Sequence, residues 1–161
     1  MIYIIRHGQT ELNSRKLLQG RSDHPLNDTG RQQAAQAGER LRNEGIVFSR
    51  VYSSPLLRAV QTAEIVAPGT EILTDERLLE MDYGPYEGTD LSHPPQEVIT
   101  FFRDFIHNPA PAGMQTPGDQ HLPRASPFPG QTVCLPTRSP VPRDPPSPEL
   151  APPETEVGPE V

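Results

Sequence analysis

Met1-Ile2-Tyr3-Ile4-Ile5-Arg6-His7-Gly8-Gln9-Thr10 opens the chain. A short β-branched and aromatic run that meets an Arg-His pair and then a glycine reads as a strand ending in a ligand-facing turn. In open α/β sheets ligands sit beyond the carboxyl ends of the strands, which is where Arg6 and His7 fall. Gly8 has no Cβ, so the backbone there can turn sharply and come close to a ligand. A neutral His7 imidazole is a nucleophile, and the Arg6 guanidinium offers a planar fork of donors to a phosphate.

Outward from this stretch, residues 8–27 are polar and loop-like, with a short helical turn around Thr10–Ser14. Asn27 or Asp28 caps a helix that runs to about Asn43 and stops at Gly45, with Ala34, Ala35, Ala37 and Leu41 as its small-residue face. Arg50–Ser53 reads as a second strand. Ser54-Pro55 opens a second long helix from Leu56 to Val66, with Ser54 as its N-cap. Glu71–Thr74 is a third strand, and a turn-rich loop follows from Asp82 to Gly88. Between Gln96 and Ile106, the residues Val98, Ile99, Phe102, Phe105 and Ile106 recur at helical spacing and predict a core-facing helix. Strand, helix, strand, helix, strand implies an α/β sheet with parallel strands.

Composition divides the 161 residues into two materials. Residues 1–108 hold 6 of the 21 prolines and residues 109–161 hold the other 15. A tail with so many prolines and so few large apolar residues cannot offset its ordering entropy, so it is expected to be disordered. The division expected is a folded part at 1–113 and a Pro-rich tail at 114–161. A net charge of −7 argues against nucleic-acid or anionic-membrane partners. It leaves room for a small anionic substrate in a locally positive pocket. The single cysteine, Cys134, gives no disulfide framework; a five-residue apolar start that meets Arg6 gives no expectation of a signal peptide, and no apolar run approaches membrane-spanning length. A soluble, cytoplasmic protein is the expectation.

Several further pieces accompany Arg6-His7-Gly8. Asn13 and Gln19-Gly20-Arg21 lie in the following loop, Ser53-Ser54-Pro55-Leu56-Leu57-Arg58 opens the second helix, and Leu79-Glu80-Met81-Asp82-Tyr83-Gly84 precedes the turn-rich loop. Taken in this order, they resemble the histidine phosphatase superfamily, the phosphoglycerate-mutase-like group, over residues 1 to about 112. The resemblance implies a three-layer, mostly parallel sheet with flanking helices. It also implies that His7 becomes phosphorylated, that Arg6 and Arg58 hold the phosphoryl oxygens, and that Asn13, Gln19 and Gly20 line the same pocket. Glu80 would protonate the leaving oxygen and then activate water. Neither a metal nor another cofactor is implied, because two guanidiniums neutralise the phosphate. Asp82 and Glu87 read as solvated loop carboxylates; His24, His93, His107 and His121 show no metal-ligand spacing.

The resemblance breaks after Met114. The family's second catalytic histidine stands late in the chain, in a Ser-His-Gly context after an apolar strand beside the first strand. Here the only later histidine is His121, in Asp119-Gln120-His121-Leu122-Pro123. The abrupt change of composition is the pattern that a reading-frame shift or a gene-model error produces. Losing one donor to the transferring phosphoryl costs a rate of about a hundred- to a thousandfold. The activity expected is that of a phosphomonoesterase acting through a phosphohistidine on a small phosphorylated metabolite, impaired in this chain. Two other readings stand beside it: a phosphoglycerate mutase-type phosphotransferase and an inactive phosphate-binding remnant. The oligomeric state is left open.

Overall fold

The structure, a computed structural model, describes residues 2–105, 107–116 and 131–136, the last six as backbone. Strand β1 is Tyr3–Arg6, β2 Phe48–Ser53, β3 Ile72–Thr74 and β4 Gln131–Pro136. Helix α1 is Glu11–Ser14, α2 Asp28–Asn43, α3 Leu57–Val66 and α4 Gln96–Arg103. These bounds follow the sequence expectation closely through Thr74.

The four strands form one sheet in the order β1-β4-β2-β3. β2 and β3 pair in parallel, while β4 runs antiparallel to both β1 and β2. β1, β2 and β3 therefore share one direction and β4 alone opposes them, so the sheet is mostly parallel and the chain is α/β.

β4 corrects the tail expectation. The segment Gln131-Thr132-Val133-Cys134-Leu135 was read as part of a disordered, Pro-rich tail, yet its backbone fills the centre of the sheet. This five-residue run is free of proline and glycine and has two β-branched residues side by side, Thr132 and Val133. Without it, β1 and β2 would each present a row of unpaired amides and carbonyls across a gap, and one inserted strand satisfies both edges. The remaining tail positions, 117–130 and 137–161, lie outside the described residues, His121 among them. Met114 and Gln115, assigned from sequence to the tail, pack into the body. Met114 is buried with Leu18, Tyr83 and Phe101, and the Gln115 N–H donates to the Asp82 carbonyl at 2.8 Å.

On one face of the sheet, α2 and α3 enclose Ala34, Phe48, Val51, Ala63 and Val66, with the Tyr3 and Phe48 rings edge-to-face at 5.8 Å. On the opposite face, Ile4 and Leu73 are exposed. α2 starts on the Asn27 side chain, which accepts the Gly30 N–H at 2.8 Å, and ends at Gly45 with φ 72°. Ala35 is exposed, and Gly38 takes the place expected for it on the buried face of α2. Ser54 does not cap α3; Asp23, from the loop after α1, accepts the Leu57 N–H at 2.7 Å instead. α4 buries Val98 and Phe101 and leaves Ile99 and Phe102 exposed, as is Phe105 just beyond its end. An eight-residue helix at the rim of the body has room to bury only one such pair. Among the described residues no helix is long and apolar enough to cross a membrane.

Candidate active site

β1 ends with Arg6 and delivers His7 and Gly8 to the ligand end of the sheet. A Cβ on Gly8 would collide with the Gly30 carbonyl, and one on Gly30 with the Gln9 carbonyl. The two glycines thus let the turn after β1 lie directly on the first turn of α2. From the other side, the Gly8 N–H donates to Thr62 Oγ1 on α3 at 3.1 Å. The turn is clamped between two helices. Sequence reasoning missed Gly30 and gave no role to Thr62, which falls in the motif that opens the second helix. A glycine inside a helix costs about 1 kcal/mol relative to alanine, and that cost was the available signal for Gly30.

His7 Nδ1 lies 2.7 Å from the Gly8 carbonyl oxygen. A carbonyl only accepts, so Nδ1 carries the proton and Nε2 keeps its lone pair. Burial, with smaller contributions from the charges of Arg58 and Arg6, lowers the His7 pKa to about 4, against the pull of the Gly8 hydrogen bond. His7 is therefore neutral at physiological pH, the form a nucleophile needs.

Two amide side chains of the following loop, Asn13 and Gln19, are both oriented by the fully buried Thr10. Thr10 Oγ1 is within donating distance of Asn13 Oδ1 at 3.0 Å and of Gln19 Oε1 at 2.7 Å, and the Thr10 N–H donates to Asn13 Oδ1 at 3.2 Å. Engaging both amide oxygens leaves the NH2 groups for other acceptors. Gln19 Nε2 is buried and has no partner, an arrangement that a bound acceptor would satisfy. Thr10 was quoted in the opening motif, but no role was read for it. A hydroxyl three residues before one amide and nine before another gives no sequence signal of its own.

Arg58 sits in the first turn of α3 and is only 1% exposed. Its Nη2 donates to the Gly20 carbonyl at 2.6 Å and its Nη1 to the Ser22 carbonyl at 2.9 Å, leaving Nε buried without a partner. Much of the guanidinium is therefore committed to the loop, which was not expected. Glu87 holds the same loop, accepting from the Gly20 N–H at 3.1 Å, the Arg21 N–H at 2.7 Å and Ser22 Oγ at 2.6 Å. It is an organiser of the site and not the solvated carboxylate that the sequence implied. Gly20, expected to contact phosphate, has its N–H engaged by Glu87 and its carbonyl by Arg58. It is a close-packed support, with no space for a Cβ between Met81, Tyr83 and Glu87.

Glu80 accepts the Met81 N–H at 3.0 Å. Burial raises its pKa, outweighing that hydrogen bond and the charges of Arg58 and Arg6, and so favours the proton-carrying form. Two cavities meet here. One, of about 470 Å³, holds His7 with Lys16, Gln9 and Gln33; the other, of about 390 Å³, holds Glu80 and Gln19 with an apolar wall. Arg6, Asn13, Leu17 and Leu91 line both. Arg6 and Asn13 thus stand between the His7 side and the Glu80 side, while Arg58 and Gly20 line neither cavity.

The histidine phosphatase superfamily (branch 1) model matches residues 2–128. The chain belongs to this superfamily. A Salmonella arizonae protein named "Probable phosphoglycerate mutase GpmB" is 43% identical over 108 residues, which cover 66% of this chain and 49% of that protein. The chain spans about half the length of the curated relatives it matches. Among solved structures, a phosphoserine phosphatase from Entamoeba histolytica, in complex with 3-phosphoglyceric acid, aligns with a TM-score of 0.52 and 34% identity. That alignment covers 63% of this chain and 50% of the phosphatase. A phosphoglycerate mutase from Thermus thermophilus aligns with a TM-score of 0.58 and 29% identity, covering 72% and 64%.

For a member of this superfamily, the position beside β1 is informative. The resemblance puts a strand with a second histidine there in the family, and this sequence was read as lacking both. β4 occupies that place with Gln131 opposite Arg6 in the ladder, and none of its residues is histidine.

Proposed function

We propose that this chain carries the phosphoryl-transfer half-site of a phosphomonoesterase that acts on a small phosphorylated metabolite through a phosphohistidine at His7. The observation that carries this reading is the neutral His7, with Nδ1 turned to the Gly8 carbonyl and Nε2 left to react, in the field of two arginines. Nε2 would attack phosphorus as the bond to the leaving oxygen breaks, and Glu80 would give that oxygen its proton. Water would then attack the phosphohistidine, returning a proton to Glu80 and releasing phosphate. Arg6 and the amide groups of Asn13 and Gln19 would hold the equatorial oxygens, with Arg58 adding its charge and its unpartnered Nε–H. Relatives named as mutases and as phosphatases support phosphoryl chemistry without separating the two activities.

A second reading, a phosphate-binding remnant without turnover, is favoured by the histidine-free strand beside β1. One experiment addresses both. Incubation with a labelled phosphate donor should place an acid-labile, base-stable label on His7, and His7→Ala should abolish it. Phosphate binding without label would favour the remnant; label that persists in His7→Ala would overturn the assignment of His7.

A further inference from the structure

The cavity on the Glu80 side has a character that phosphate chemistry does not require. Beyond Arg6, Asn13, Gln19 and Glu80 its wall is apolar, with Leu17, Tyr83, Leu91, Pro94, Ile99 and Phe102. Leu91 is 45% exposed and Phe102 42%, so large apolar side chains are held open to solvent beside the catalytic groups. Phe102 is not loose: its ring lies edge-to-face with Tyr83 at 5.7 Å and with Phe101 at 5.2 Å. The Leu91 N–H donates to the Lys16 carbonyl at 2.9 Å, which ties the Leu91 loop to the segment carrying Leu17 and Leu18. What sets these side chains apart from scattered surface residues is that they line one cavity together with Arg6 and Glu80.

The polar groups show which part of a substrate would lie there. In an in-line displacement the nucleophile and the leaving oxygen stand on opposite sides of phosphorus. His7 lines one cavity, Glu80 the other, and Arg6 and Asn13 line both. A phosphoryl group held by Arg6 and Asn13 therefore directs its leaving group into the Glu80 cavity. Among the described residues lining that cavity, Arg6 is the one cation, and the phosphoryl already takes it. Lys16 lines the other cavity.

We infer that the site selects phosphomonoesters whose leaving group is apolar, an aromatic or branched aliphatic alcohol, over those carrying a second anionic group. The inference rests on the phosphoryl-holding reading above. A carboxylate in the leaving group would meet Glu80 and the Phe102 wall with no free cation, whereas an aromatic ring would cover side chains that are now hydrated. A volume near 390 Å³ lies within the range of small-molecule sites.

Binding of phosphonates to the full chain tests this without turnover. Methylphosphonate, benzylphosphonate and phosphonoacetate present one phosphoryl group with a minimal, an aromatic and an anionic substituent. Calorimetric titration should show benzylphosphonate binding at least about tenfold tighter than methylphosphonate, and phosphonoacetate no tighter than methylphosphonate. In Phe102→Ser, and separately in Leu91→Ser, the benzyl-to-methyl ratio should fall toward one. Equal binding of benzylphosphonate and methylphosphonate, tightest binding of phosphonoacetate, or a ratio unchanged in both variants would overturn the inference while leaving the phosphoryl-holding reading intact. Failure of all three to bind would overturn both.

Discussion

The 2.7 Å contact between His7 Nδ1 and the Gly8 carbonyl assigns the two faces of the imidazole, one to the backbone and one to the reaction. The same carbonyl would stabilise the positive ring of a phosphohistidine, so a contact between chain neighbours serves both halves of a two-step displacement.

Acid sensitivity follows from His7. Its pKa is lowered from 6.5 to about 4 in the folded chain. Between those values the unfolded chain takes up a proton that the folded chain does not, so the stability held above pH 6.5 is lost as pH falls toward 4. Urea midpoints measured at pH 7 and pH 4.5 should drop further for the wild type than for His7→Gln. Equal drops in the two proteins would show that His7 does not carry the effect.

Thr10→Val keeps the shape and removes the hydroxyl that holds Asn13 and Gln19. The Thr10 N–H still holds Asn13 Oδ1 in that variant, but the Gln19 oxygen and the Asn13 N–H lose their partner, which should destabilise the fold by about 1–3 kcal/mol and weaken vanadate binding. Thr10→Ser should restore both. A Thr10→Val protein that melts and binds vanadate like the wild type would remove Thr10 from the site.

Gly30→Ala places a methyl group against the Gln9 carbonyl, backbone on backbone, where neither partner can swing away. The cost should reach about 3 kcal/mol or more, because α2 must lift from the turn that carries His7. Thermal unfolding measures the loss. Gly45→Ala is a useful contrast, since a Cβ there meets no atom and only the φ of 72° is strained.

Arg58→Lys should not substitute for arginine. A single ammonium cannot reach the Gly20 and Ser22 carbonyls while presenting a third donor, so the loop should loosen and vanadate affinity should fall, by about 1.5–3 kcal/mol in binding. Unchanged affinity together with lowered stability would confine Arg58 to support of the loop.

Removing the residues after Thr116 should lower the melting temperature and the strand signal in circular dichroism, whereas composition alone predicts little change. Val133→Pro is the sharper test. Val133 stands opposite both Ile4 and Tyr52 in the ladders, and proline there removes a ladder hydrogen bond from a central strand, so the melting temperature should fall as it does on truncation. A truncated chain that melts like the full one would show that β4 is dispensable.

The local signals carried much of this protein. Apolar runs ending in Arg-His-Gly, an asparagine before a helical pattern and a glycine after it depend on neighbours in the chain, so β1, β2, β3, α2 and α3 were legible, as were His7 and the loop carrying Glu80. Tertiary structure decided what depended on distant segments meeting. Gly30 matters because α2 lies on the turn after β1; Glu87 matters because the residues it holds lie 65 to 67 positions earlier in the chain. Thr10 matters because two amides converge on it. Composition averaged over the tail hid the five residues at 131–135, whose strand exists because two open edges were waiting on either side. Propensity and capping act within a few residues, whereas close approach and ladder pairing are set by the packing of the whole chain.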